Sequence, residues 1–465
     1  MASLRPLPFV RVVLLDFNGG RTIVEAVEAV TKTQWPTDRL EIMCVDNGST
    51  DGSLEEIERL FPSVVTIRNG RNLGFPGNNV AMRNLDGIDY VALINSDAIV
   101  EPTWLAPLVD RAVSDEGIGA VSPKILLADR FVEIPVVIKT TNDGSKTPVV
   151  LRGVSVDGKD VFGRSHVGNG GGRSSDRTGI FERMTDTCVL RVPVTTGQGS
   201  RPSLQIEADV EAFEDCVLSL AGYEQAERAL RAGERLSMSV AVELRTVDVV
   251  NNAGSWLDDS WIGHERGLYE VDAGQYDHSE DIGTWCGAAV LLRARHLDDV
   301  GVFEKRFFLY YEDTDLAVRG RGRGWRFVLE PTSVVRHIHS ASTIEGSSVA
   351  AHYIERNRLL LVVRHAPASV VVREFLRYLL VTASYARAAC KQALKRRGSL
   401  DMKTVSRRVR SFVGVVRLMP SSIAARRVIS SRRSVSRSEL RQQLELGSSS
   451  FAPENGGDAG LPSEE

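Results

Sequence analysis

The sequence predicts an α/β fold: a mostly parallel sheet flanked by helices, with an inserted antiparallel β module and a helical C-terminal extension. Three observations predict it. Apolar runs of strand length alternate with helical repeats over residues 9–127, the pattern of repeated βαβ units. Residues 128–249 change to short runs separated by turns such as Asn142-Asp143-Gly144 and Asp157-Gly158-Lys159, as antiparallel strands require. From His352 onward, apolar residues recur at helical spacing with arginines between them.

Val10–Leu15 reads as a buried strand that ends in the turn Asp16-Phe17-Asn18-Gly19-Gly20, and Ile23, Val27 and Val30 continue as a helix through Lys32. Leu40–Val45 is the second strand, ending at Asp46-Asn47-Gly48-Ser49-Thr50-Asp51-Gly52-Ser53. A helix over Leu54–Phe61 and a strand over Val64–Ile67 follow. The Gly- and Asn-rich loop from Asn69 to Asn79, which includes Asn72 and Asn78, leads into a helix expected over Asn78–Leu85. Tyr90–Ile94 is the next strand and stops at Asn95-Ser96-Asp97. Ligands of such sheets bind beyond the carboxyl ends of the strands, where the Asp16, Asp46 and Asp97 turns all fall. The insert carries strand-like runs at Val132–Ile138, Pro148–Val156, Cys188–Val194, Leu204–Val210 and Leu236–Val242, expected as a sandwich or barrel. Five regions result: 9–127, a first α/β half; 128–249, the β module; 250–345, a second α/β half; 346–441, basic and helical; and 442–465, a disordered tail.

A chain of 465 residues exceeds one ordinary core, and 43% hydrophobic with 25% charged residues is a globular composition. The net charge of -3 hides an asymmetry: residues 387–441 hold 16 Lys and Arg against Asp401 and Glu439 alone. Such a stretch suits an anionic membrane surface; a solvated tail is the competing reading. Five cysteines without a C-x-x-C pair suggest neither a disulfide framework nor a zinc site. The start of the chain shows no apolar leader, and Val370–Val381 is too short, and too interrupted by Arg373, Glu374 and Arg377, to span a bilayer. The expected location is cytoplasmic, peripheral on the inner face of the cell membrane, with no nucleic-acid partner.

The chemistry-bearing residues are few. Phe307 to Leu316 reads Phe-Phe-Leu-Tyr-Tyr-Glu-Asp-Thr-Asp-Leu, three carboxylates (Glu312, Asp313, Asp315) behind an aromatic run. Like charges beside so much apolar surface are costly without a task or a cation; the competing reading is acids favouring a helix N-terminus. His337 follows 24 residues after Asp313, with His339 as its competitor. Asp97 at a strand end suits Mg²⁺ or Mn²⁺ holding a diphosphate. Trp285 could stack on an acceptor sugar or fill the core.

The ordered set D-N-G-S-T-D-G-S, N-L-G-F-x-G-N-N, N-S-D, G-A-A-V-L-L-R, F-F-L-Y-Y-E-D-T-D-L, G-W-R and H-x-H-S-A-S resembles the family 2 inverting glycosyltransferases, and within them the rhamnosyltransferase-like and galactofuranosyltransferase-like bacterial members. The resemblance covers residues 9–127 and about 250–345 and implies a GT-A type fold. It implies nucleotide-sugar contacts from Asp16, Phe17, Asn18, Asp46, Asn72, Asn78, Asn95, Ser96 and Asp97. It places the catalytic base on Asp313, paired with Glu312, and a divalent metal, Mg²⁺ or Mn²⁺, on Asp97 and His337. The implied donor is a dTDP- or UDP-sugar, rhamnose favoured, and the acceptor a saccharide or polyprenyl-linked glycan of a cell-envelope polymer. Two departures stand out: Asn95 replaces the first acid of the DXD-type motif, and Asp16-Phe17-Asn18 replaces a more usual Thr/Ser-Tyr-Asn. The rivals are a sugar-phosphate nucleotidyltransferase, whose basic Gly-rich loop is missing after the first strand, and a non-catalytic carbohydrate-binding scaffold using the β insert.

Overall fold

The computed structural model describes residues 6–140, 148–168, 172–176, 179–194, 203–220, 227–338, 347–396 and 402–448. The chain divides into two compact units, one of Met1–Ile125, Asn252–Arg266 and Gln275–Phe451, the other built on Leu126–Asn251 and Gly267–Gly274.

The first unit is built on a mixed sheet. β1 (Val10–Asp16), β2 (Leu40–Asp46), β3 (Val65–Arg68) and β4 (Tyr90–Asn95) pair in parallel in the order β3–β2–β1–β4. Val10, Val12, Val13 and Leu14 are all fully buried, as a strand covered on both faces must be. β5 is Ala98–Val100 and β6 is Ile118–Leu127. β7 (Ala289–Arg293) runs antiparallel between β4 and β6, and β8 (Arg326–His337) lies beyond β6 and also pairs antiparallel with β5. β7 therefore runs against both its neighbours, and β6 keeps the direction of β1–β4.

The helices α1 (Gly20–Thr31), α2 (Ser53–Leu60) and α3 (Leu105–Val113) supply Ile23, Val27, Ile57, Leu105 and Leu108 to the core on this sheet. The helix expected over Asn78–Leu85 is only a 3-10 turn, Phe75–Val80. The Asn78 and Asn79 amides there bond loop backbone, and such local bonds compete with helix propagation. Downstream lie α4 (Ala294–Val300), α5 (Glu312–Gly322), α6 (Ser348–His365), α7 (Ala368–Arg396), α8 (Lys403–Arg432) and α9 (Arg437–Leu444). Residues 442–448, expected within a disordered tail, are ordered: Leu444 is buried, and the Leu446 carbonyl accepts the Gly283 amide at 3.1 Å. Residues 449–465 lie outside the described residues.

The second unit is a sandwich rather than a barrel. One sheet centres on the strands Arg130–Thr140 and Thr187–Val194, the other on Val149–Val156, Ser203–Ala212 and Arg235–Glu243. Alternate residues of the two sheets (Val132, Ile134, Leu190 against Leu151, Ile206, Val242) fill one core.

Candidate active site

Parallel register brings three turns together. Asp16 pairs with Asp46, and Leu15 with Asn95, so β1, β2 and β4 end side by side. The turns are bonded to one another: the Asn18 amide donates to Ser49 Oγ at 2.9 Å, and Asn18 Oδ1 accepts the Thr50 amide at 2.8 Å. Asn18 holds φ 53°, a conformation Asn tolerates.

Two of the expected nucleotide contacts, Asp16 and Asp46, close their own turns. Asp16 is fully buried and accepts Ser53 Oγ at 2.6 Å and the Gly19 amide at 2.9 Å, while burial raises its pKa. Asp46, also buried, accepts the amides of Gly48 and Ser49 at 3.1 and 2.8 Å. A short carboxylate at a strand end is well placed to close its own turn. Phe17 is exposed, and Asn95 and Ser96 are partly so. Asn72 closes the next loop by accepting the Gly74 amide at 2.8 Å. Asn78 is buried, with its Oδ1 unpartnered. Asn47, given no role from sequence, ties the second turn to this loop: its amide donates to the Gly74 carbonyl and its Oδ1 accepts Asn69 Nδ2, both at 2.9 Å.

Asp97 and His337 meet. Antiparallel pairing sets His337 opposite Ala98, the Ile338 amide reaches the Asp97 carbonyl at 2.9 Å, and His337 Nε2 lies 3.0 Å from Asp97 Oδ1. Both side chains are buried. A carboxylate just before β5 and an imidazole at the end of β8 fit a divalent cation. Among the described residues no cluster of three such ligands forms; His339 lies outside them.

The three acids of the aromatic segment separate sharply. Asp313, partly exposed, accepts the Gly287 amide at 3.1 Å on one oxygen and the Thr314 amide at 2.6 Å on the other, while burial raises its pKa. Glu312 is buried with Oε2 unpartnered, and burial and then the Asp313 charge push its pKa well up. The pair thus holds two acids with raised pKa values, Glu312 the more strongly raised. Asp315 does more than favour the start of α5. It is fully buried, meeting Arg364 Nε at 2.6 Å, Arg319 Nε at 3.0 Å and His365 Nε2 at 2.8 Å. Despite its burial, these partners, the two arginines foremost, hold its pKa well below the carboxylate range. Burial lowers the His365 pKa to about 4, so His365 meets Asp315 as a neutral donor.

Trp285 does not present a face to an acceptor. It is 1% exposed and packs near Phe303 at 6.4 Å; a side chain of that size on a strand approach fills the core. Its neighbours matter more. The Ala288 carbonyl accepts the Asn95 amide at 2.9 Å, and a Cβ on Gly287 would lie 2.9 Å from the Phe75 ring. Burial, then Glu265, Asp313 and Asp97, push the Cys286 thiol well up, which disfavours the thiolate. An isolated Gly before an apolar strand was the available signal for this close approach.

Sequence reasoning missed Asn357. Phe308, Tyr310 and Tyr311 all have φ between 64° and 68°, each costing about 1–2 kcal/mol for an L side chain. The buried Asn357 Nδ2 lies 2.8, 2.8 and 2.7 Å from the carbonyls of Phe307, Leu309 and Tyr310. One amide on α6 holds the whole strained segment in front of Asp313.

Residues 12–128 match glycosyl transferase family 2. Over 118 residues the chain is 30% identical to an uncharacterized glycosyltransferase of Haemophilus influenzae, covering 24% of this chain and 36% of that protein. It is 27% identical over 124 residues to glycosyltransferase AglE of Haloferax volcanii, covering 26% and 40%. Over 87 residues it is 34% identical to the N-acetylglucosaminyl-diphospho-decaprenol L-rhamnosyltransferase of Mycobacterium tuberculosis, covering 18% and 28%. The chain therefore spans less than half the length of these curated relatives. Among solved structures, GalNAc-T7 with UDP, GalNAc and Mn²⁺ aligns with 92% of this chain and 59% of its own at 14% identity, with a TM-score of 0.45.

Proposed function

We propose that the protein is an inverting glycosyltransferase that moves a sugar from a nucleotide-diphosphate sugar to an acceptor hydroxyl. The observation that carries this reading is that the ends of β1, β2 and β4, the Asp97–His337 pair and Asp313 gather in one unit, with Ala288 bonded to Asn95 and Gly287 to Asp313. Asp97 and His337 would hold a divalent metal, Mn²⁺ or Mg²⁺, which when bound neutralises charge on the departing diphosphate. Asp313 accepts the proton of the attacking hydroxyl, at an oxygen made more basic by burial. The strongly raised pKa of Glu312 disfavours a second charge beside the base. A single carboxylate base with no carboxylate nucleophile suits one displacement and inversion.

The match to the mycobacterial rhamnosyltransferase favours a dTDP- or UDP-linked sugar, rhamnose first, and a polyprenyl-diphosphate-linked saccharide of a cell-envelope polymer as acceptor. Such an acceptor would keep the enzyme at an anionic membrane surface, reached through its C-terminal helices. The test is a panel of nucleotide sugars with Mn²⁺ or Mg²⁺, reading nucleoside diphosphate release and the product anomer by NMR. Wild type turns over at least one donor with inversion, and Asp313→Asn loses nearly all turnover. Full activity in Asp313→Asn would remove the base assignment, and a retained anomer the mechanism.

A further inference from the structure

The arginine count in the C-terminal region overstates the charge available outside. Arg407 and Arg408 bind Glu355, Arg441 binds Glu445, and Arg426 donates to the Val363 carbonyl. What the helices leave outside is apolar. On α7, Val372, Leu376, Leu379 and Leu380 are 59%, 56%, 46% and 70% exposed, and their spacing puts them on one helical face. On α8, Val409, Val413, Val416 and Ile423 are likewise exposed and also share one face, with the exposed Pro420 between the last two.

The two faces coincide. Phe375 meets Phe412 and Arg408 reaches Tyr378 and Thr382, so α7 and α8 run antiparallel, with Val372, Leu376 and Leu380 at the levels of Val416, Val413 and Val409. Both helices use their opposite sides to pack on α6: Glu374 binds Arg358, Tyr378 and Arg408 bind Glu355, and Ser411 binds His352. The apolar stripes consequently lie side by side, turned away from α6.

The exposed charges that the two helices themselves carry have one sign, although the exposed Asp259 lies beside Arg373. The sequence of α8 contains no acid, and the single acid of α7, Glu374, is fully buried. Arg387, Arg410, Arg417 and Arg427 are exposed, as are Arg373 and Arg377, which also bind Glu374 and Ser260. Neither helix is long and apolar enough to cross a membrane. We infer that the outer face of α7 and α8 lies in the surface of an anionic bilayer, the apolar stripes inserted among the acyl chains and the arginines at the lipid phosphates. A second copy of the chain is the poorer occupant, because the same face repeated would oppose arginine to arginine.

This membrane face sharpens the acceptor part of the proposed function, yet its test needs no turnover. The full chain, without donor, is floated with phosphatidylcholine vesicles and with vesicles holding phosphatidylglycerol. Wild type floats with the anionic vesicles and about tenfold less with the neutral ones. The exposed pair Leu376→Glu/Leu380→Glu, and separately Val413→Glu/Val416→Glu, each reduce flotation about tenfold or more, while thermal unfolding and donor hydrolysis stay at wild-type values. Unchanged flotation of both pairs overturns the inference. So does a wild-type dimer in sedimentation that both pairs convert to monomer without altering flotation. Loss of donor hydrolysis with normal flotation would instead strike the glycosyltransferase reading and leave the membrane face standing.

Discussion

The Phe308 carbonyl accepts the Phe75 amide at 2.8 Å, joining the strained aromatic segment before Asp313 to the loop that follows β3. A Cβ on Gly74, whose φ is +66°, would lie 1.9 Å from that same carbonyl oxygen. Loop and acid-bearing segment are thus fitted to each other backbone against backbone.

Gly74→Ala should therefore disturb both sides of the site. Gly70 provides the matched control, with φ +70° and nothing within 4 Å of an added Cβ. Gly70→Ala carries only the conformational cost of about 1–2 kcal/mol, measured by urea unfolding. Gly74→Ala adds the clash, and its turnover should drop well below that of Gly70→Ala. Equal effects of the two would dissolve the backbone fit as a determinant.

Asp313 and Glu312 make opposite pH predictions. A base works when deprotonated, so turnover falls as pH falls, and the raised Asp313 value places that fall above the range of an ordinary Asp. Glu312 has a folded pKa raised above its unfolded one, so it contributes stability at low pH that is lost as pH rises through the folded value. Glu312→Gln should keep activity and flatten that loss in thermal melts taken across pH. A Gln variant as inactive as Asp313→Asn would move the base to Glu312.

Asp315 should govern stability. Its removal leaves Arg364 and Arg319 buried without their carboxylate, and Asp315→Asn should cost about 3–5 kcal/mol in urea unfolding at neutral pH. Because the folded pKa is depressed, this stability is present above the ordinary Asp value and disappears as pH falls through the folded one. His365, held neutral down to about 4, adds an earlier decline as pH drops below its ordinary value. A change under about 1 kcal/mol would class the cluster with surface pairs.

Asn357→Ala removes the amide that collects three carbonyls. We expect kcat to fall about 100-fold, with KM for the donor changed little, since the base is displaced rather than the nucleotide loop. A KM effect without a kcat effect would contradict this positioning role.

For Asp97 and His337, titration calorimetry with Mn²⁺ separates metal binding from turnover. Asp97→Ala and His337→Ala should each weaken binding about tenfold or more. Wild-type affinity in both variants would place the cation elsewhere.

Much of the architecture was legible because burial writes itself locally. Val10–Leu15, Leu40–Val45 and Tyr90–Ile94 announce strands by unbroken apolar runs, and the insert announces its strands by alternation. The acids of the site were also visible, since charge next to a long aromatic run has few inexpensive explanations. Their partners were not. Asp313 and Asp315 are two residues apart on one helical turn, yet one meets the Gly287 amide and the other meets Arg364, His365 and Arg319.

By itself, the sequence determined the β–α alternation, the inserted strands and the candidate acids, because periodicity and burial act over a few residues. Only the tertiary structure decided that Asp16 and Asp46 close their own turns, that Trp285 is core, that Asn357 restrains the aromatic segment, and that α7 and α8 align their apolar faces. Each of these depends on a partner brought near by sheet register or helix packing. Register and packing are set by the summed burial of the whole unit.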